Sequence, residues 1–180
     1  MIVGVVKETV EGERRVALDP GSVLRLRKMG VEVHVQSGAG DGAFHPDASY
    51  ETAGAIIRPD AVTVWQQADV ILKVNPPTAG EVGLLRPDSL LIGFLNPLRN
   101  PEIIQQIADR GASALSMELI PRISRAQSMD ALSSQSSVAG YKATLLAASA
   151  LTKFFPMMTT AAGTVRPARV FVIGAGVAGL

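Results

Sequence analysis

Cysteine is absent from this chain of 180 residues. Its absence excludes disulfide bonds and thiolate metal sites, and it fits a reducing compartment. The two histidines, His34 and His45, have no second ligand at metal spacing, so we predict no bound metal. We expect His45, which precedes Pro46, to lie in a loop. We expect His34 to be a solvated side chain, because it belongs to the alternating run Val31–Gln36, which is typical of a strand near a sheet edge.

The chain also has no long hydrophobic run. A membrane-spanning helix needs roughly 20 consecutive apolar residues. The most apolar tract, Ala143–Leu151, is bounded by Lys142 and Lys153 and suits a packed soluble helix. The opening run Ile2–Val6 lacks the order of a signal peptide. The sequence therefore predicts a cytoplasmic protein.

Charge of one sign is not in excess. The 17 basic and 16 acidic residues are mixed along the chain, which gives no electrostatic footprint for nucleic acid or an anionic membrane. At 47% hydrophobic residues, the chain is long enough to bury one full core and to begin a second. A small-molecule partner is therefore expected, with no nucleic acid.

Short apolar runs alternate with helical stretches, which predicts βαβ units and an α/β fold with a Rossmann-like parallel sheet. Asp19 and Pro20 start one helix and Gly30 ends it, while Pro101 and Gly111 bound a second. The predicted strands are Ile2–Val6, Val31–Gln36, Val70–Val74, Leu90–Leu95, Ala112–Ser116 and Val170–Ile173.

Towards the carboxyl end, the stretch from Ser133 to Leu151 predicts one long helix. Pro156, Gly163 and Pro167 then mark a linker. We accordingly predict three parts: a Rossmann-like lobe over 1–131, a connecting helix and linker over 132–166, and the first strand of a second Rossmann lobe over 167–180.

A glycine-rich motif follows the last predicted strand. Such glycines permit a tight turn, let the backbone approach a pyrophosphate and allow close packing of a helix on a strand. The acidic residue that usually follows about 20 positions later is missing, so an ordinary glycine-rich turn stays open as an alternative. The motif consists of Gly174, Ala175, Gly176, Val177, Ala178 and Gly179.

A polar stretch lies between an apolar strand and the long helix, beyond a strand's carboxyl end, where open α/β sheets place ligands. Its donors and acceptors match the edges of a nicotinamide carboxamide and its ribose, although polar loops are usually only solvated surface. The stretch contains Arg122, Arg125, Gln127, Ser128, Asp130, Ser133, Ser134 and Gln135.

Several separated motifs in the same order resemble the α subunit of proton-translocating NAD(P) transhydrogenases. They are Lys7-Glu8, the run from Glu13 to Leu18, the run from Arg122 to Gln135 continuing to Lys142, and the closing Gly174–Leu180. The likeness covers the whole chain. It implies two Rossmann-like lobes with NAD(H) in the cleft between them.

The resemblance also implies roles for individual residues. Gln127 would align the nicotinamide ring for hydride transfer, and Ser128 and Met129 would lie in the same loop. Val177 and the surrounding Gly174, Ala175, Gly176 and Gly179 would meet the pyrophosphate. Around the nicotinamide and its ribose the resemblance places Arg122, Gln127, Asp130 and Ser133.

Alanine dehydrogenases belong to the same superfamily. They hold a keto acid with an arginine and a lysine, which Arg15 and Lys73 resemble, and they use a histidine as acid and base. This sequence has Asn96 at the histidine's position. An amide does not titrate near neutrality, whereas hydride exchange between two nicotinamides needs no such base. Asn96 therefore favours transhydrogenation, with Arg15 and Lys73 as structural or inter-lobe ion partners.

The resemblance thus predicts direct hydride transfer from NADH to NADP⁺ on a partner domain. It implies a homodimer, a membrane-embedded unit and an NADP(H)-binding domain, and a cytoplasmic location peripheral to the inner membrane. Two alternatives stay open: an alanine dehydrogenase-like enzyme, and a non-catalytic fragment. Because the sequence stops at Leu180, we expect the 180-residue chain to be inactive by itself.

Overall fold

The computed structural model describes all residues from Met1 to Leu180. The chain forms two compact units, Met1–Ile120 and Pro121–Leu180. The division expected from the sequence, with boundaries after residues 131 and 166, stays a prediction.

The first unit is built on a sheet of six parallel strands in the spatial order β3-β2-β1-β4-β5-β6. This is a Rossmann-type order, so the predicted α/β fold is confirmed. The strands are β1 (Ile2–Val5), β2 (Glu32–Gln36), β3 (Ile56–Arg58), β4 (Val70–Leu72), β5 (Leu90–Gly93) and β6 (Ser113–Ser116).

Five helices connect these strands, and side chains cap most of their beginnings. The Asp19 carboxylate accepts the backbone N–H of Ser22 at 2.9 Å, and the helix that it starts ends just before Gly30, whose φ is 79°. Both predicted helices are therefore present. The helices are α1 (Pro20–Lys28), α2 (Asp47–Thr52), α3 (Ala61–Gln67), α4 (Ala79–Val82) and α5 (Pro101–Asp109).

Apolar side chains cover both faces of the sheet at its inner strands, whereas the edge strand β6 is mostly exposed. One core cluster centres on Trp65, Ile71 and Leu91, and the other on Val33 and Tyr50, all fully buried. Burial on both faces is the usual condition of a parallel sheet, and it explains why the strands appear as short, nearly continuous apolar runs.

The prediction for His34 is wrong. Strand β2 is internal, paired with β1 and β3, and His34 is only 1% exposed. Its Nε2 lies 2.6 Å from a carboxylate oxygen of Glu32, and the Arg58 guanidinium donates to its Nδ1 at 3.4 Å. His34 is thus satisfied by neighbouring side chains rather than by water. The three-residue strand β3, which supplies Arg58, was too short to predict.

The second unit consists of the long helix α6 (Ala131–Ala150), a hairpin of β7 (Met158–Thr160) and β8 (Gly163–Val165), and the glycine-rich segment. The predicted long helix is confirmed. The predicted strand Val170–Ile173 is not formed: no strand pairs with these residues, and a strand exists only through its hydrogen-bonded neighbours. The predicted linker contains the hairpin, whose turn uses Gly163 at a φ of 125°.

Candidate functional site

A buried polar cluster lies at the carboxyl ends of β1 and β4. Between these two strands the strand order reverses, which is where open α/β sheets bind ligands. The Lys73 ammonium is buried and lies 2.8 Å from an oxygen of Glu81 and 3.8 Å from an oxygen of Glu8. The second oxygen of Glu81 accepts the backbone N–H of Thr78 in a capping box, which fixes the glutamate towards Lys73.

The loop after β1 adds a second ion pair to this cluster. The Arg15 guanidinium donates to both oxygens of Glu13, at 2.8 and 2.6 Å. Hydrogen bonds from Arg15 and the amide of Asn75 lower the pKa of Glu13 to about 2. Arg15 and Lys73 therefore each face a carboxylate of the first unit.

Asn96 follows β5 in a left-handed conformation, with a φ of 47°. Its backbone N–H donates to a carboxylate oxygen of Glu118, which follows β6, and its carbonyl accepts the N–H of Asn100 at 3.0 Å. Asn96 and Glu118 line one cleft of about 170 Å³, together with Pro97, Leu98, Arg99 and Leu119. Glu118 is the one carboxylate that lines this cleft, and no histidine does.

The predicted nicotinamide loop lies in the second unit as a 3₁₀ helix, Ser124–Met129, followed by Asp130 at the N-cap of α6. The Asp130 carboxylate accepts the backbone N–H of Ser133 at 2.9 Å and its hydroxyl at 2.6 Å. These bonds, with a smaller contribution from the charge of Arg122, lower the pKa of Asp130. The structure therefore brings Asp130 and Ser133 together and keeps Asp130 an anion.

The other residues predicted for this loop are on the surface. Arg122, Gln127, Ser128 and Met129 are all exposed. The backbone carbonyl of Gln127 accepts the N–H of Asp130 at 3.2 Å, and the residue is exposed. The loop thus carries polar side chains at the surface, where a ligand can reach them.

The glycine-rich segment packs against α6. Gly174 has a φ of 102°, and the N–H groups of Gly179 and Leu180 both donate to the carbonyl of Gly176, which forms a single helix-like turn. A Cβ on Gly140 of α6 would collide with the carbonyl of Ala178, so glycine is required for this approach. A cleft of about 340 Å³ adjoins this contact and is lined by Ser137, Gly140, Tyr141, Thr144 and residues 177–180.

The glycine-rich turn and the polar loop lie along the same helix, α6. Along α6, Gly140 is seven residues beyond Ser133, or about 10 Å at the rise of an α-helix. The second unit therefore brings both predicted binding elements to the same helix.

Comparison with known proteins places the chain in a family. The profile described as "Alanine dehydrogenase/PNT, N-terminal domain" matches residues 4–139, and that of the corresponding C-terminal domain matches residues 143–180. The chain belongs to the alanine dehydrogenase/PNT family. The resemblance predicted from the separated motifs is thereby confirmed.

Relatives in this family carry two different names. The chain is 43% identical over 180 residues to "NAD(P) transhydrogenase subunit alpha" of Cereibacter sphaeroides, covering 100% of this chain and 34% of that protein. It is 36% identical over 188 residues to "Alanine dehydrogenase" of Mycobacterium tuberculosis, covering 99% of this chain and 48% of that protein.

A solved structure described as transhydrogenase from Sinorhizobium meliloti superposes with a TM-score of 0.95 at 46% identity, covering 99% of this chain and 53% of that one. The chain thus spans 34% to 53% of the length of these three proteins. No helix of this family member is both long and apolar enough to cross a membrane.

Sequence reasoning missed most of the acidic partners in the first unit. The capping-box spacing from Thr78 to Glu81 is the one local signal that could have indicated Glu81. Glu8, Asn75 and Glu118 come together with their partners only through the parallel pairing of distant strands.

Proposed function

We propose that this chain is the NAD(H)-binding part of a proton-translocating transhydrogenase, in which NADH passes a hydride directly to NADP⁺ held on a partner domain. The observation that carries the proposal is Asn96. It stands beyond the carboxyl end of β5, where the resemblance to alanine dehydrogenases expects a titratable histidine. The name of the Cereibacter sphaeroides relative supports the same activity.

The polar loop suits a nicotinamide riboside. Asp130, kept anionic by Ser133, is an acceptor for ribose hydroxyls or carboxamide N–H groups, and the exposed Arg122 is a donor. The exposed Gln127 amide offers both a carbonyl acceptor and N–H donors. We assign to Gln127 the alignment of the ring, with Ser128 and Met129 as further walls of the same loop.

The glycine-rich turn suits a pyrophosphate. Gly174, Ala175, Gly176, Val177 and Gly179 form the turn, and an added Cβ would meet no atom within 4 Å at Gly174 or Gly176, so the backbone is open to a ligand there. Backbone N–H groups at such a turn are the usual donors to phosphate oxygens.

Catalysis in this proposal rests on position rather than on proton transfer. When bound, the dinucleotide would supply the hydride from its nicotinamide ring. The chain's own residues would hold the ring at a fixed orientation. Because no proton is released at the reacting carbon, an amide at position 96 is sufficient.

The wider assembly belongs to the same proposal. It includes a homodimer, an NADP(H)-binding domain and a membrane-embedded unit, which would place this cytoplasmic chain at the inner membrane. The boundaries after residues 131 and 166 would separate the first lobe, the connecting helix and the start of the second lobe. The isolated chain would bind NADH very weakly and would not catalyse transhydrogenation.

An alanine dehydrogenase is the second candidate, since Arg15 and Lys73 are both present and one relative bears that name. Against it stands the internal pairing of both cations, with Glu13 and Glu81 at hydrogen-bond distance. Pyruvate binding to the chain, measured by calorimetry, would favour this candidate.

Calorimetric titration of NADH tests the assignment of the nucleotide site. We expect much tighter binding to a chain extended to the length of its relatives than to the 180-residue chain, and weaker binding when Asp130 is replaced by asparagine. Equal affinity of the short and extended chains would show that the site is wrongly placed.

A further inference from the structure

The crevice between β1 and β4 contains a set of hydrogen-bond donors that converge on one point. They are the backbone N–H groups of Val74 and Asn75, the side-chain amide of Asn75 and the ammonium of Lys73. Converging N–H groups beside a buried cation are the usual chemistry of an anion site. Their place, at the reversal of the strand order, is where sheets of this topology hold ligand phosphates.

A side chain of the protein already occupies this point. One oxygen of Glu8 accepts the N–H of Val74 at 2.6 Å, and the other accepts the backbone and side-chain N–H groups of Asn75, both at 3.2 Å. The same oxygen lies 3.8 Å from the Lys73 ammonium. The Glu8 side chain is only 2% exposed, so no solvent competes for these donors.

We propose that Glu8 is a resident anion: its carboxylate fills an anion site in the first unit and thereby keeps nucleotide phosphates out of that crevice. Glu8 is then a specificity-determining residue of the first unit. The proposal concerns the first unit alone, and it holds for either of the two candidate activities.

The charges around the crevice act in the same direction. Glu8, Glu13 and Glu81 are three carboxylates that face two cations, Arg15 and Lys73, so the cluster carries one net negative charge. A phosphate would therefore meet both filled donors and a like charge. Removing Glu8 reverses both conditions, because it uncovers the donors and makes the cluster neutral.

Chemical rescue of Glu8→Ala tests the proposal. The substitution keeps Cβ and removes the γ-methylene and the carboxylate, a fragment that acetate matches in size and charge. Thermal unfolding of the whole chain is measured across a series of sodium acetate and sodium phosphate concentrations, with sodium chloride at equal ionic strength as the reference. Binding to the folded state raises the unfolding temperature in a saturable way.

Glu81→Gln is the matched control. It removes the same unit of charge from the cluster, yet glutamine preserves the capping box with Thr78 and leaves Glu8 on its donors. We expect a lower unfolding temperature for Glu8→Ala in chloride and a saturable recovery both in acetate and in phosphate. For the unmodified chain and for Glu81→Gln we expect the response to each anion to be at least about tenfold weaker in apparent affinity.

Equal responses of Glu8→Ala and Glu81→Gln would overturn the proposal, because net charge alone would then explain them. A response of the unmodified chain equal to that of Glu8→Ala would also overturn it, because the donors would then not be filled. If Glu8→Ala does not fold in chloride, refolding in acetate replaces the melting experiment: recovery supports the resident anion, and no recovery contradicts it. Neither result depends on NADH, so the proposed function stands or falls separately.

Discussion

Replacement of Gly140 by alanine tests the packing of the glycine-rich turn on α6. Inside a helix, alanine is favoured over glycine by about 1 kcal/mol, so the substitution should strengthen α6 by itself. At this position, however, the new Cβ would collide with the carbonyl of Ala178, a backbone atom that cannot rotate away. Overpacking of this kind typically costs about 1–3 kcal/mol. We therefore expect the turn to move away from α6 while the helix persists.

The consequence for function follows from that displacement. If the turn holds the pyrophosphate, its movement should weaken NADH binding in the extended chain by about tenfold or more, since each factor of ten corresponds to about 1.4 kcal/mol. Calorimetry gives the affinity, and backbone amide NMR shifts of residues 174–180 report the displacement without NADH.

Gly176→Ala is the control within the same turn. Its ideal Cβ meets nothing within 4 Å, and its φ is not in the left-handed range, so the turn should keep its amide shifts in the absence of NADH. It should still weaken NADH binding, because the added methyl would stand where the pyrophosphate approaches. Unchanged affinity in Gly140→Ala together with shifted turn resonances would refute the assignment of the turn to the pyrophosphate.

Three further predictions concern single residues. Gln127→Asn shortens the side chain by one methylene and should slow hydride transfer in stopped-flow experiments more than it weakens NADH binding, because alignment matters most in the transition state; an unchanged rate would remove the role of Gln127. Asn96→His restores a titratable group without the rest of a keto-acid pocket, so alanine oxidation followed by NADH absorbance should stay at trace level, and brisk oxidation would contradict this. The pKa of Glu13 is lowered from 4.5 to about 2, so its pairing with Arg15 stabilises the fold above pH 4.5 and is lost as the pH falls towards 2. Glu13→Gln should therefore lower the free energy of unfolding by about 1–2 kcal/mol at pH 7, allowing for the half-exposed Arg15. In urea titrations at a series of pH values, the variant should lose less stability than the unmodified chain between pH 4.5 and 2. An equal loss in both proteins would show that the pair does not stabilise the fold.

The apolar runs and helix caps were enough to predict most of the first unit. Asp19 and Gly30 bound α1 through local chemistry, which a sequence displays directly. Strand β3 and the burial of His34 were not predictable in the same way. Three residues carry too little periodicity, and the shielding of His34 depends on Arg58 of a strand that had not been recognised.

In the candidate site, too, the residues that are neighbours in sequence could be predicted, whereas those brought together by strand pairing could not. The loop from Arg122 to Asp130 was visible because its polar residues are contiguous in sequence. The partners of Glu8 lie 66 and 67 residues away, so their meeting depends on the pairing of β1 with β4. Val170–Ile173 do not form the expected strand for a related reason. Their side chains favour a strand, but no other strand of the structure pairs with them.

Direct hydride transfer is the central claim, and one assay tests it. A chain extended to the length of its relatives is mixed with the proposed NADP(H)-binding partner domain, NADH and an NADP⁺ analogue whose reduced form has a distinct absorbance. Parallel samples receive alanine with NAD⁺. We predict rapid reduction of the analogue by NADH, and no NADH formation from alanine. Alanine-dependent NADH formation without transfer between the two nucleotides would contradict the account.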